Sequence, residues 1–400
     1  MSKIEVIAKK DLPEEIELAY GENKSQSPAH LLPGTSSDPL AMSKFQVISG
    51  DPSHIAVADG DQIVHILRFL AEAFRRNNGQ APYIVVAGKH ANPCGIAIDW
   101  DDPVIAVRKA LCGNKVAIMG GEVVTNFPID DQLGLELYQQ PPEMCQGEEK
   151  KWGLDLVLAP SFSSETVELL GKKEKRRLLA NPALVDAPFP KKEWMLKHLY
   201  NGDDVLRQRF QNFVLTKESI IHWTSEPLRG ADFDSLLIAW VATWNATSNT
   251  VGLAKNRMLI GLGCGQQDRI ECVRLGVDRA IRSEHETANS VFASDAFFPF
   301  ASNERPELTD AQLHRWTALL NNARNQNQLP DHRFSYAWQV SKEIMALDNR
   351  EGPEILVWTG CKGGVVPADG NRLKEVKEYF EENHLSVGFV DPANRGFSKH

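Results

Sequence analysis

No run of about 18 apolar residues occurs anywhere in the chain, which argues against a membrane-spanning helix. The opening stretch, Met1 to Glu14, is charged and lacks the apolar centre of a secretory signal. Cysteine is scarce: six residues, at 94, 112, 145, 264, 272 and 361, with no CxxC pair. A disulfide framework and a structural zinc site are therefore not expected. A reducing, cytoplasmic compartment is expected. Basic charge is also in deficit. A net charge of -9 disfavours a broad nucleic-acid surface, which needs a positive face, though it leaves room for a local phosphate pocket. GxSxG, Walker A and HExxH are all missing. The zinc-deaminase pattern is missing too, because Pro93-Cys94 has no second cysteine after it and His90 is followed by Ala91-Asn92.

What is present is ordinary globular material. Hydrophobic residues make up 42% and charged residues 24% of 400 positions, so two domains are the natural expectation. Buried strands are read at Tyr83–Ala87, Leu156–Ala159, Ile355–Trp358 and Val387–Val390. Between them lie helical patterns. Ile63, Ile66, Leu67, Leu70 and Phe74 share one face, as do Leu373, Val376 and Phe380. Strands alternating with amphipathic helices imply a layered α/β fold. The charge-rich stretch Lys172–Thr224 holds no long apolar strand and is placed as the crossover. The domains are then residues 1–205 and 206–400. Asn303–Asp348 is a second polar stretch, within which Asn321–Gln328 is read as exposed loop or frayed helix. No short-period repeat is visible.

Four segments can carry chemistry. Gly88-Lys89-His90-Ala91-Asn92-Pro93-Cys94-Gly95 follows a strand directly, and its glycines and proline predict a tight irregular turn at the sheet edge, where open α/β sheets bind ligands. Lys beside His offers a fixed charge and a base titrating near neutrality, although a solvated surface loop is the plainer reading. Trp244–Val251 is rich in groups that suit an amide-bearing ligand, but reads more simply as a helix start capped by Thr247 or Ser248. Gly261-Leu262-Gly263-Cys264-Gly265 is read as a strand-to-helix turn able to hold an anion; its GxGxG spacing is a poor dinucleotide fingerprint. Ser294–Phe300, with three phenylalanines, is either core or a stacking platform for a flat heterocycle.

Taken in order, these segments resemble the AICAR transformylase family, which formylates 5-aminoimidazole-4-carboxamide ribonucleotide. Lys89-His90-Ala91-Asn92-Pro93-Cys94-Gly95 is similar to its KHxNPCG signature, and Tyr20-Gly21-Glu22-Asn23 resembles its early RYGENPHQ box. Ser248-Asn249, Lys255-Asn256 and Gly263–Arg269 resemble its SN…AKN…GxGQxSR stretch. Ser294–Phe300 matches SDAFFPF letter for letter, and Asp155–Pro160 is like DGIIAP. The likeness runs from about residue 18 to the C-terminus, interrupted by the insertion-like stretch 303–348.

The resemblance implies two tandem cytidine-deaminase-like three-layer α/β/α domains without zinc. It implies a homodimer with shared active sites, 10-formyltetrahydrofolate as cosubstrate, and no metal. With only about 17 residues before the early box, a stand-alone transformylase without the cyclohydrolase domain is expected. By resemblance, His90 is the base for the 5-amine, Lys89 stabilises charge at the formyl group or the leaving N10, and Asn249 orients substrate. Tyr20, Gly21, Gly120, Asp155 and Arg395 match nucleotide contacts. Arg269, Phe297, Phe300 and Gln267 match the folate side. There are departures. The arginine before Tyr20 is Ala19, the aromatic before Gly120 is Met119, and an acid after the phenylalanines is replaced in Phe300-Ala301-Ser302. Two other readings stand beside this one: a non-catalytic nucleotide-binding or regulatory paralogue that keeps the fold, and a formyltransferase with a changed substrate, motivated by Ala19 and Ser302.

Overall fold

Helix α1, His54–Asn78, shows how the local sequence sets the frame. The Ser53 hydroxyl accepts the Ala56 N–H at its start, and Gly79 ends it in the left-handed region that only glycine enters cheaply. Ile63, Ile66, Leu67, Leu70 and Phe74 are all buried, as their spacing requires. The computed structural model describes residues 15–140, 150–172, 176–296, 356, 359–368 and 373–392. Phe297, Phe300, Ser302, Arg395 and the 303–348 stretch lie outside them.

The first half runs β1 (Ile16–Leu18), β2 (Ala29–Leu31), β3 (Gln46–Ser49), α1, β4 (Tyr83–Lys89), β5 (Asn92–Asp99), α2 (Pro103–Cys112), β6 (Glu122–Thr125), α3 (Asp131–Tyr138), β7 (Leu156–Ala159), α4 (Ser164–Gly171) and β8 (Arg177–Ala180). A ribbon follows, β9 (Trp194–His198) and β10 (Val205–Arg209). The second half runs β11 (Ile220–Trp223), α5 (Gly230–Trp244), β12 (Thr250–Lys255), β13 (Met258–Cys264), α6 (Arg269–Arg282), β14 (Val291–Ser294), β15 (Gly363–Pro367), α7 (Leu373–Glu382) and β16 (Ser386–Val390).

Twelve strands form one mixed sheet, in the order β11-β16-β15-β14-β12-β13-β5-β4-β6-β7-β8-β3. The order contains a repeat. β5-β4-β6-β7-β8 and β13-β12-β14-β15-β16 are the same five-strand arrangement, each with its first strand antiparallel to both neighbours and its last three parallel. The halves join where β5 meets β13, through the Ala97–Met258 pair. One core, centred on α1 and α5, covers both halves on one face. Two separate cores lie on the other face, one under each half. Repetition therefore exists at the level of topology, although no short sequence period announces it.

Several local expectations change. The stretch read as holding no long apolar strand contains a short buried one, Arg177–Ala180. The strand expected at 355–358 lies mostly outside the described residues. Its one described member, Leu356, is helical, and the strand of this region is β15. Its Gly363-Gly364 start hid it. A Cβ on Gly363 would stand 2.1 Å from the Ser386 carbonyl oxygen, so the glycines permit close strand packing there. Trp244–Val251 is a helix end leading into β12, with Asn245 at the terminus, and is not a capped start.

Candidate active site

The Lys89-His90 segment is a hairpin. β4 continues to Lys89, β5 starts at Asn92, and only His90 and Ala91 form the turn, at φ 53° and 57°. Paired left-handed residues suit the twist of a two-residue hairpin, yet such turns favour Asn-Gly, so this one needs outside support. Asp59 of α1 supplies it: its Oδ2 accepts the His90 N–H at 3.1 Å, and the carboxylate also accepts the Ala91 N–H. Asn92 Nδ2 donates to the His90 carbonyl at 3.0 Å, and Asn92 Oδ1 accepts the Thr247 N–H at 3.4 Å. The tip's backbone is thus held from α1 and from the loop after α5, while the imidazole is exposed.

The glycines around it are not turn residues, contrary to expectation. A Cβ on Gly95 would lie 1.9 Å from the Ala110 carbonyl oxygen of α2, and one on Gly88 would lie 2.4 Å from Ile63 of α1. They let helices close on the sheet. The same correction applies to Gly261 and Gly263, which lie within β13 and would meet the Gly276 and Cys272 carbonyl oxygens of α6 at 2.2 and 1.8 Å. Of that trio only Gly265 turns the chain, at φ 68°.

Lys89, Gly120 and Asp155 come together. The Lys89 ammonium donates to the Met119 carbonyl at 2.7 Å. Gly120 has φ 72°, and a Cβ there would stand 3.7 Å from Asp155 Oδ2 and 3.9 Å from Lys89 Nζ. Any side chain at 120 would fill the gap between acid and ammonium. Asn249 heads a second cluster. Its Nδ2 donates to the carbonyls of Gln266 and Gln267 at 3.0 and 3.1 Å, and its Oδ1 accepts from Arg269 at 2.6 Å. Arg269 also donates to Ser294 Oγ at 3.1 Å and pairs with Asp295, whose Oδ1 accepts the Thr250 N–H. Gln267 joins through its backbone, its side chain being exposed.

Thr247 links the clusters, since its carbonyl accepts the Gly265 N–H at 2.7 Å while its N–H meets Asn92. A cavity of about 260 Å³ opens beside the hairpin at the seam between the halves, lined by Lys89, His90, Asn92, Cys94, Cys264 and Arg279 among others. Tyr20 and Gly21 stand differently. The Tyr20 carbonyl accepts the His54 N–H at the start of α1, and Gly21 N–H donates to the Gln26 carbonyl. The described hydrogen bonds tie them to α1 and to their own turn, not to Lys89.

Two acidic residues escaped the sequence reading. Asp59 lies on the apolar face of α1, four residues before Ile63. Glu122 opens β6 opposite Gly88. An acid on a buried stripe was the available signal. Burial raises the Asp59 carboxyl above its usual range, despite the two N–H groups it accepts. Burial first, then the nearby Asp59 and Asp155 charges, push Glu122 from 4.5 to about 8. Burial and the Glu122 charge push the Cys94 thiol up to about 12, so it is no nucleophile at neutral pH. The Glu122 shift has a sign for stability. Between its ordinary 4.5 and about 8, the folded protein keeps a proton that the unfolded chain has released. Stability should therefore fall as pH rises through that window, by at most about 1.4 kcal/mol per unit, and level off above it. Melting temperatures of the wild type and of Glu122→Gln across pH 5 to 9 check this; a constant difference between the two would contradict it.

Among the described residues no cluster of His, Cys, Asp or Glu is arranged to hold a metal ion, and no helix is long and apolar enough to cross a membrane. The chain is similar to proteins called bifunctional purine biosynthesis protein PurH. That of Corynebacterium glutamicum strain ATCC 13032 is 31% identical over 287 residues, 71% of this chain and 49% of the relative. That of Enterococcus faecalis is 30% identical over 72% of this chain and 50% of the relative. That of Cutibacterium acnes is 33% identical over 58% and 41%. The chain spans about half the length of the curated relatives it matches. The family model described as AICARFT/IMPCHase bienzyme matches residues 2–279, and the chain belongs to that family.

Proposed function

We propose that this protein acts in purine biosynthesis by transferring the formyl group of 10-formyltetrahydrofolate to the 5-amine of AICAR. The observation that carries the reading is the hairpin: Lys89 and His90 are adjacent, their backbone is held from two sides, and a glycine-made gap lies beside the ammonium. The amine nitrogen attacks the formyl carbon, and the carbonyl oxygen takes up negative charge. His90 accepts the amine proton. The C–N10 bond then breaks and N10 leaves with a proton, giving formyl-AICAR and tetrahydrofolate. A placed base contributes about 10²–10⁴ to such a step, and a donor to the developing oxyanion about 10²–10³. Lys89 is assigned the second task.

Tyr20, Gly21, Gly120, Asp155 and Arg395 are assigned to the nucleotide, and Arg269, Gln267, Phe297 and Phe300 to the folate. Asn249 orients the reacting groups. Its amide is locked by Arg269 and two carbonyls, which favours a fixed group over a mobile one. The repeated strand order supports reading residues 1–205 and 206–400 as two zinc-free, cytidine-deaminase-like units. A cytoplasmic homodimer with shared active sites completes the proposal. The ribbon β9–β10 supports it, since Leu196 and Leu206 are exposed there and a two-stranded ribbon is marginal alone.

Product analysis tests the reaction. With carbon-labelled 10-formyltetrahydrofolate and AICAR, the label should appear as a formamide on the nucleotide. Label that stays on folate, or reaches only water as formate, would remove the proposal.

A further inference from the structure

Glu122 is 5% exposed, and its Oε2 has no hydrogen-bond partner. An unpaired carboxyl oxygen in the interior is costly, so its retention there calls for a role. Titratable groups surround it. Asp59 approaches from α1, Asp155 from the segment before β7, Lys89 from the end of β4, and the Cys94 thiol from β5. The strand partner across from it is Gly88, which contributes no side chain and directly precedes Lys89. The ammonium donates to the Met119 carbonyl and stands beside the gap over Gly120.

We propose that Glu122 is a positioning residue for Lys89: while neutral it leaves the ammonium over the Gly120 gap, and once ionised it draws the ammonium under the sheet edge, away from the substrates. The inference rests on Lys89 being the group that faces the reacting formyl. Its physical basis is a competition. With Glu122 neutral, the ammonium stays on the Met119 carbonyl, across the Gly120 gap from Asp155. With Glu122 ionised, a further carboxylate appears, buried and with an unpartnered oxygen, where its attraction is weakly screened.

Glu122→Gln keeps the volume and one carbonyl oxygen but cannot ionise, and Glu122→Met serves the same comparison should the glutamine variant not fold. Wild type and variant are acetylated briefly with N-hydroxysuccinimidyl acetate at about pH 6.5 and about pH 9. Labelling of Lys89 is read by mass spectrometry against Lys374, an exposed lysine. At the higher pH, Lys89 in the wild type should lag behind the variant by about tenfold, the worth of one unit of lysine pKa. At the lower pH the two should agree. Equal labelling at both would overturn the proposal. Turnover gives the second readout: the wild type should lose activity as pH passes about 8, and the variant should not. Coincident pH profiles would make Glu122 merely structural and overturn the proposal as well. If labelling responds but neither protein transfers formyl, the assignment of the reaction fails and the control of Lys89 by Glu122 stands.

Discussion

His90→Ala should lower the turnover of formyl transfer by about 10²–10⁴, the usual worth of a placed base, while thermal unfolding barely moves. The stability half of this expectation comes from exposure. The imidazole stands at the hairpin tip in solvent, and the groups that hold the tip are backbone N–H and C=O. Alanine tolerates φ near 53° less well than histidine, so a control is needed. His90→Asn provides it, because asparagine enters the left-handed region readily but offers no base. If both variants lose turnover alike and the Michaelis constants stay within a few fold, the missing group acts in the transition state. Near-normal rates in either would remove His90 as the base. A loss confined to alanine would mean that the turn geometry, and not the imidazole, carries the effect.

Arg269→Ala should destabilise the fold by about 3–5 kcal/mol, the cost of removing one partner of a buried ion pair. The side chains of Arg269 and Asp295 are 8% and 12% exposed, and Arg269 also satisfies Ser294 and the Asn249 oxygen. Deleting the guanidinium leaves a carboxylate with one backbone N–H and an amide oxygen with none of its charged support. Lysine should recover only part of the loss, because a single ammonium cannot reach three acceptors in the plane of the guanidinium fork. Denaturant midpoints at constant slope measure this. A shift below about 1 kcal/mol would show that Asp295 finds other support. Arg269→Ala is also expected to reduce turnover well below its melting temperature, since the Asn249 amide then keeps only its two carbonyl contacts and loses the support of its oxygen.

How much of this could be read from residues alone depends on where the cause lay. α1 could be read from a serine cap, a five-member apolar stripe and a terminal glycine, all local. Lys89 and His90 could be singled out because their types carry chemistry wherever they stand. The glycines at 88, 95, 261 and 263 were misread because a glycine in a turn and a glycine under a helix are the same letter. What separates them is a neighbour that arrives only in the folded chain: the Ile63 side chain of α1 at Gly88, and a carbonyl from α2 or α6 at the other three. Asp59 and Glu122 were missed for a related reason. Each reads as an acid beside apolar residues, and its meaning comes from the hairpin that packs on it. The repeat was invisible because the halves share strand order and not residues. The turn that reads Lys89-His90-Ala91-Asn92 in one reads Lys255-Asn256-Arg257-Met258 in the other, again with two left-handed residues.

The most direct measurement is release of tetrahydrofolate on mixing the purified protein with AICAR and 10-formyltetrahydrofolate, with a Lys89→Ala, His90→Ala double variant beside it. The wild type should release tetrahydrofolate only when AICAR is present, one for each formyl-AICAR formed, and the double variant should release almost none. Release that is independent of AICAR, or equal in the two proteins, would contradict the assignment of formyl transfer to this hairpin.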